Sequence, residues 1–182
     1  MTSSGPVAAD AHRFAPAAPD EEVVYGACCP GWHSAGTHEA ALDQWISFIQ
    51  ESGIERVCCL LTGRQLDAHD ANIGRYRDAL GPENVRHAPI PDHRLADPDT
   101  LVDDILPFLA AADRAGEPVV VHCLAGIGRT GHVLAAWLVA ERGYDSRGAI
   151  ETVREMGRDP LEAVERGTAT RQDLLDLLDC AA

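Results

Sequence analysis

A chain of 182 residues, 46% hydrophobic and 24% charged, is long enough for one domain with a sizeable core and has the ordinary composition of a globular protein. Its 29 acidic residues outweigh 15 basic ones, all Arg because the chain has no Lys; the net charge of −14 argues against nucleic acid and anionic membranes as partners, since both bind basic faces. The acidity has two readings: adaptation to high salt, where screening removes the self-repulsion of an acidic surface, or a GC-biased genome that replaces Lys with Arg alongside ordinary acidity.

Residues 1–22 are small, polar and Pro-containing, without an apolar signal core, and are expected to form a disordered N-terminal tail; 23–182 are expected to form the folded domain. Val23 to Cys28 reads as a short strand ended by Pro30-Gly31. Cys28, Cys29, His33 and His38 match no zinc spacing, so they read as a buried strand end followed by loop histidines, and no metal site is expected. Glu39 to Ser52 carries Leu42, Trp45, Ile46 and Ile49 at helical spacing and is stopped by Gly53. Arg56 to Thr62 is a second buried strand, in which Cys58 and Cys59 read as packing residues. A helix is expected over Asp67 to Leu80, closed by Gly81-Pro82, and a third strand over Asn84 to Ile90.

The loop Pro91 to Pro98 follows. Asp92 stands on it between prolines, where a mobile acid can deliver a proton to a leaving group. Asp97 competes for that role, but Asp97-Pro98-Asp99 reads as a helix cap with Pro at the first position. His93 and Arg94 are candidates for touching substrate. A third helix is expected from Pro98 to Ala115, and Gly116 ends it.

Val119-Val120-Val121 then gives an uninterrupted β-branched run, as in a central parallel strand. His122-Cys123-Leu124-Ala125-Gly126-Ile127-Gly128-Arg129-Thr130 leads from it into an apolar helix, Arg129 to Arg142. Backbone N–H groups of a tight loop at a helix start bind anions, and Arg129 adds a fork for two phosphate oxygens. Cysteines in such fields ionise readily, so Cys123 is expected to be a thiolate nucleophile. His122 is expected to hold the backbone of Cys123, and Thr130 to contact the sulfur. A helix capped at Asp145 or Ser146 runs to Glu155, and the last spans Thr170 to Leu178.

This stretch resembles the His-Cys-x5-Arg-Thr signature of the cysteine-based protein tyrosine and dual-specificity phosphatases. Chance placement of its His, Cys, Gly and Arg in a chain of this composition is expected about 0.002 times. The order of other features is similar to the kinase-associated phosphatase subgroup. These are Tyr25 to Gly31, Leu61-Thr62-Gly63-Arg64-Gln65-Leu66, Pro89-Ile90-Pro91-Asp92, and Gly167 to Gln172.

Strands alternating with helical segments imply an α/β fold with a central, mostly parallel sheet and helices on both faces, and the resemblance implies a phosphatase domain over 23–182. It also implies hydrolysis of phosphotyrosine and phosphoserine/threonine esters of a protein substrate through a phosphocysteine. Cys123 would be the nucleophile, Asp92 the general acid, and Arg129 with the N–H groups of Leu124, Ala125, Gly126, Ile127, Gly128 and Arg129 the phosphate cradle. Thr130 would assist the departing sulfur, and Gln172 would orient water. No metal or cofactor is implied. The chain has no long insert for phosphotyrosine recognition, so strict tyrosine specificity is not expected.

Three alternatives remain: a non-catalytic phosphate-binding module, an inositol-phosphate or lipid phosphatase, and an RNA 5′-triphosphatase. Apolar Leu124, Ala125 and Ile127, the acidic charge and the intact Cys123–Arg129 pair weigh against them. The paired cysteines resemble no secreted disulfide framework, so a reducing, cytoplasmic setting is expected, and no feature specifies an oligomeric state.

Overall fold

The apolar runs pair into one sheet. The computed structural model describes residues 12–32, 38–69 and 72–182. Its strands are β1 (Ala15–Pro16), β2 (Val24–Ala27), β3 (Arg56–Cys59), β4 (Val85–His87) and β5 (Val119–His122), in the spatial order β1-β2-β5-β3-β4. β2, β5, β3 and β4 run parallel, and β1 is antiparallel at the edge. Strand alternation sorts the side chains. Val119, Val121 and Cys123 join the larger apolar cluster, whereas Val120 joins the smaller one on the opposite face.

The helices are α1 (His38–Glu51), α2 (Gly63–Ala68), α3 (Ile73–Leu80), α4 (Leu106–Ala115), α5 (Gly128–Arg142), α6 (Ser146–Glu155), α7 (Glu162–Glu165) and α8 (Arg171–Ala181). Leu42, Trp45, Ile46 and Ile49 of α1 pack with Tyr76 of α3 over Val57, Cys59 and Val120. α4, α5, α6 and α8 cover the other face. Every residue of α5 from Gly128 to Val139 is buried, so the loop before it rests on an immobile support. The expected α/β architecture is therefore the observed one. Among the described residues no helix is long and apolar enough to cross a membrane.

Three expected elements differ. Residues 12–22 of the expected tail are folded: Ala15 and Pro16 pair with Gly26 and Tyr25, and Ala17 and Ala18 are buried. Glu21 is 5% exposed, and its carboxylate accepts from Trp137 Nε1 at 3.0 Å and Arg142 Nε at 2.9 Å. Those partners lie over a hundred residues away, so local composition carries no trace of them. Residues 1–11 lie outside the described residues, as do His33 and the side chain of His38.

The helix expected over Asp67 to Leu80 is two helices. Thr62 accepts from the N–H of Gln65, whose side chain accepts from the N–H of Thr62; this capping box starts α2 early, and Asn72 starts α3. The helix expected from Pro98 begins as a π-helix over Thr100–Ile105. Pro107 lacks the N–H an α-helix needs there, and the N–H of Leu106 instead bonds Leu101 O, five residues back.

Candidate active site

The loop between β5 and α5 has a complete backbone account. Its six carbonyls from Cys123 to Gly128 are each bound from outside. Cys123 O accepts from His122 Nδ1 at 3.0 Å and Leu124 O from Cys29 N at 2.9 Å. Ala125 O accepts from Arg13 Nη1 at 3.1 Å, and Gly126 O accepts from Arg158 Nη1. Ile127 O takes the N–H groups of Gly131 and Asp159, and Gly128 O takes His132 Nδ1 at 3.2 Å. A trans peptide points its N–H opposite to its C=O. The N–H groups of Leu124, Ala125, Gly126, Ile127, Gly128 and Arg129 are therefore turned away from those partners, toward the side an anion would occupy. α5 begins with no side-chain cap, which leaves its first N–H groups and its dipole to the same task.

Gly126 is indispensable to this shape. Its φ is +75°, and a Cβ there would stand 2.5 Å from Ala27 O. A Cβ on Gly128 would meet the carboxylate of Glu162.

Cys123 is 3% exposed, and Thr130 Oγ1 donates to its Sγ at 3.2 Å, as expected for a hydroxyl that steadies the sulfur. Burial pushes the other sheet-end thiols up, Cys28 to about 11 and Cys29 and Cys59 to about 12, so they pack as neutral thiols. Arg129 is held in place by the protein. Its Nη1 donates to Gln65 Oε1 at 2.7 Å and Ile90 O at 3.0 Å, and its Nη2 stands 3.1 Å from Asp92 Oδ1. The loop acid and the loop arginine, 37 positions apart in sequence, thus meet. Asp97 instead accepts from the N–H of Thr100 as a helix cap.

His93 has φ +57° and turns its ring toward Asp92 Oδ2 at 3.5 Å, while its carbonyl accepts from Thr168 Oγ1. Arg94 is exposed on the same loop. Gln172 does not join the site: it lies on the exposed face of α8, and its Nε2 donates to Asp176 one turn on at 2.7 Å. The amide that reaches the arginine is Gln65, which the Thr62-x-x-Gln65 capping signature could have located. Arg13, Arg158 and His132 leave no comparable sequence signal. Among the described residues no three His, Cys, Asp or Glu side chains are grouped closely enough to hold a metal ion.

Both buried histidines are spacers rather than acids. The Nε2 of His122 meets Tyr76 OH at 3.1 Å, and the Nε2 of His132 accepts from Ala96 N at 3.0 Å, which ties the base of the acid loop to α5. Burial pushes both imidazoles down to about 4, so they are neutral, and the network assigns the proton to Nδ1 in each.

A pH dependence of stability follows. The unfolded chain binds both protons near pH 6.5 while the folded chain refuses them until about 4, so stability is full above this window and is lost as pH falls through it. The expected loss is about 3 kcal/mol per histidine. Urea midpoints measured across the window should fall with pH, and more steeply than in the His122→Asn/His132→Asn double variant.

Comparison with known proteins agrees with this fold. The Tc-R-P family, described as a polymorphic toxin system DSP-PTPase phosphatase, matches residues 30–143, more than half of the chain. The dual specificity protein phosphatase OPG106 of monkeypox virus is 38% identical over 63 residues, 35% of this chain and 37% of the viral protein. The chain thus matches little more than a third of that relative's length. Among solved structures, a mutant form of Tk-PTP is 26% identical with a TM-score of 0.63, over 88% of this chain and 89% of that one. Kinase associated phosphatase shares the fold at a TM-score of 0.64 and 18% identity, over 83% of this chain and 86% of its own.

Proposed function

Because the chain belongs to the Tc-R-P family of polymorphic toxin system DSP-PTPase phosphatases, we propose that it is a cysteine-dependent protein phosphatase acting on phosphotyrosine and phosphoserine/threonine esters. The observation that carries this reading is the convergence at one loop of a sulfur, a hydroxyl, and a fixed arginine in contact with an acid. The Thr130 hydroxyl stands 3.2 Å from Cys123 Sγ, and Asp92 stands 3.1 Å from Arg129.

The chemistry takes two steps. The Cys123 thiolate attacks phosphorus and forms the S–P bond as the ester P–O bond breaks. Arg129 and the N–H groups from Leu124 to Arg129 stabilise the equatorial oxygens. Asp92 gives its proton to the leaving oxygen, which departs beside it because the phosphate is held by the arginine that Asp92 touches. Asp92 then takes a proton from water, whose oxygen attacks phosphorus and breaks the S–P bond. Cys123 leaves as a thiolate that Thr130 hydrogen-bonds. His122 keeps the Cys123 carbonyl turned out of the cradle. A nucleophile that must stay reduced points to a reducing compartment such as the cytoplasm, and the substrate would be a phosphorylated protein.

The test is phosphate release from p-nitrophenyl phosphate and from phosphotyrosine and phosphothreonine peptides, with inhibition by vanadate. Turnover of both peptide classes is expected. Release only from phosphoinositides or triphosphate-ended RNA, or from no ester, overturns the assignment.

A further inference from the structure

Two of the seven donors that hold the six loop carbonyls are cations, and both stand outside residues 30–143, the span shared with the family. Arg13 belongs to the segment leading into β1, and Arg158 follows α6. They also hold each other, since Arg158 Nη2 donates to Arg13 O at 2.5 Å.

Arg158 is an expensive residue to bury. It is 4% exposed, its Nε has no hydrogen-bond partner, and among the described residues no carboxylate lies in ion-pair reach of its guanidinium. A buried cation without a counter-ion is strongly unfavourable. Room is made for it deliberately: a Cβ on Gly26 would stand 2.6 Å from Arg158 Nε. Burial disfavours its charge most, lowering its pKa to about 10, and Arg13 opposes it too, whereas an ionised Cys123 would favour it. Its missing anion therefore lies across the loop, at the sulfur and at whatever phosphate the sulfur attacks. Arg13 is held for the same contact. It adopts φ +50°, unusual outside glycine, and the neighbouring His12 O accepts from Cys28 N at 2.9 Å.

We propose that Arg13 and Arg158 are positioning residues of the anion site, bracing the Ala125 and Gly126 carbonyls from behind and supplying positive charge that the loop passes on to the bound oxyanion. A guanidinium on a carbonyl orients and polarises that peptide, so the N–H groups of Gly126 and Ile127 on the far side become stronger donors. The N-terminal segment is then part of the active site, although it supplies no atom that touches substrate. This inference rests on the loop being a phosphate site.

Vanadate titration by calorimetry, with melting curves for each variant, tests it. Arg158→Met, close in length but uncharged, is expected to weaken vanadate about 10- to 100-fold, and Arg158→Lys to recover most of that loss. Arg13→Met, at a half-buried position, is expected to weaken it about fivefold, and Arg13→Lys to leave it nearly unchanged. A purely structural role would lower the melting temperature of Lys and Met variants alike and leave vanadate affinity untouched in the folded protein. Wild-type affinity in a folded Arg158→Met, or equal losses with Lys and Met, overturns the proposal. If Arg158→Met fails to fold, the Arg13 pair decides: no difference between Met and Lys overturns it. Failure of the unsubstituted protein to bind vanadate overturns instead the reading of the loop as a phosphate site, and the brace with it.

Discussion

Cys123→Ser is expected to abolish turnover, by roughly 10⁴-fold or more, while inorganic phosphate still binds. The two effects separate because two sets of atoms are involved. Attack requires the sulfur, since a serine hydroxyl in this loop has no base to take its proton; the Thr130 hydroxyl is itself a donor to that position. Binding requires the N–H groups from Leu124 to Arg129 and the guanidinium of Arg129. Those are held by carbonyl partners and by Gln65 and Ile90, none of which the substitution touches. Single-turnover hydrolysis of a phosphopeptide, with a phosphate titration of the same variant, checks both halves. Near-normal hydrolysis would remove Cys123 from the mechanism, and loss of phosphate binding would mean that the sulfur also shapes the cradle.

Asp92→Asn is expected to lower kcat about 10²- to 10⁴-fold for esters with poor leaving groups and far less for p-nitrophenyl phosphate. A nitrophenolate departs without a proton, whereas a serine or threonine alkoxide does not. KM should not rise, because Asp92 pairs with Arg129 Nη2 at 3.1 Å and its removal frees that nitrogen for phosphate. Equal losses across leaving groups would instead assign Asp92 to holding Arg129.

How much of this was legible beforehand depended on the range of the interaction involved. The loop from His122 to Thr130 could be read because its parts are contiguous: a β-branched run, a Cys, two Gly, an Arg and an apolar helix, each with a local physical reason. Prolines mark the loop that carries Asp92, and the structure places that loop against Arg129. Gln172 was misplaced because a family-like Gln in a late loop is equally a helix residue, and its own Asp176 lies one turn away. Gln65 stands in a segment that the resemblance marks, but its capping box explains only the start of a helix and says nothing of the arginine it reaches. The tail was misjudged from residue 12 onward because its composition is that of a disordered segment, while its partners Trp137, Arg142 and Arg158 come from distant helices and loops.

By itself the sequence determined the parallel sheet, most of its long helices, and the sulfur–arginine loop, because hydrophobic period, turn chemistry and motif spacing act over a few neighbouring residues. Only the tertiary structure decided which groups hold that loop open. Its distant donors come from Arg13, Cys29, Arg158 and Asp159, whereas His122, Gly131 and His132 lie within one helical turn of the carbonyls they hold. A backbone hydrogen bond can be satisfied by any donor that folding brings near, so most of these partners are specified by packing and not by spacing.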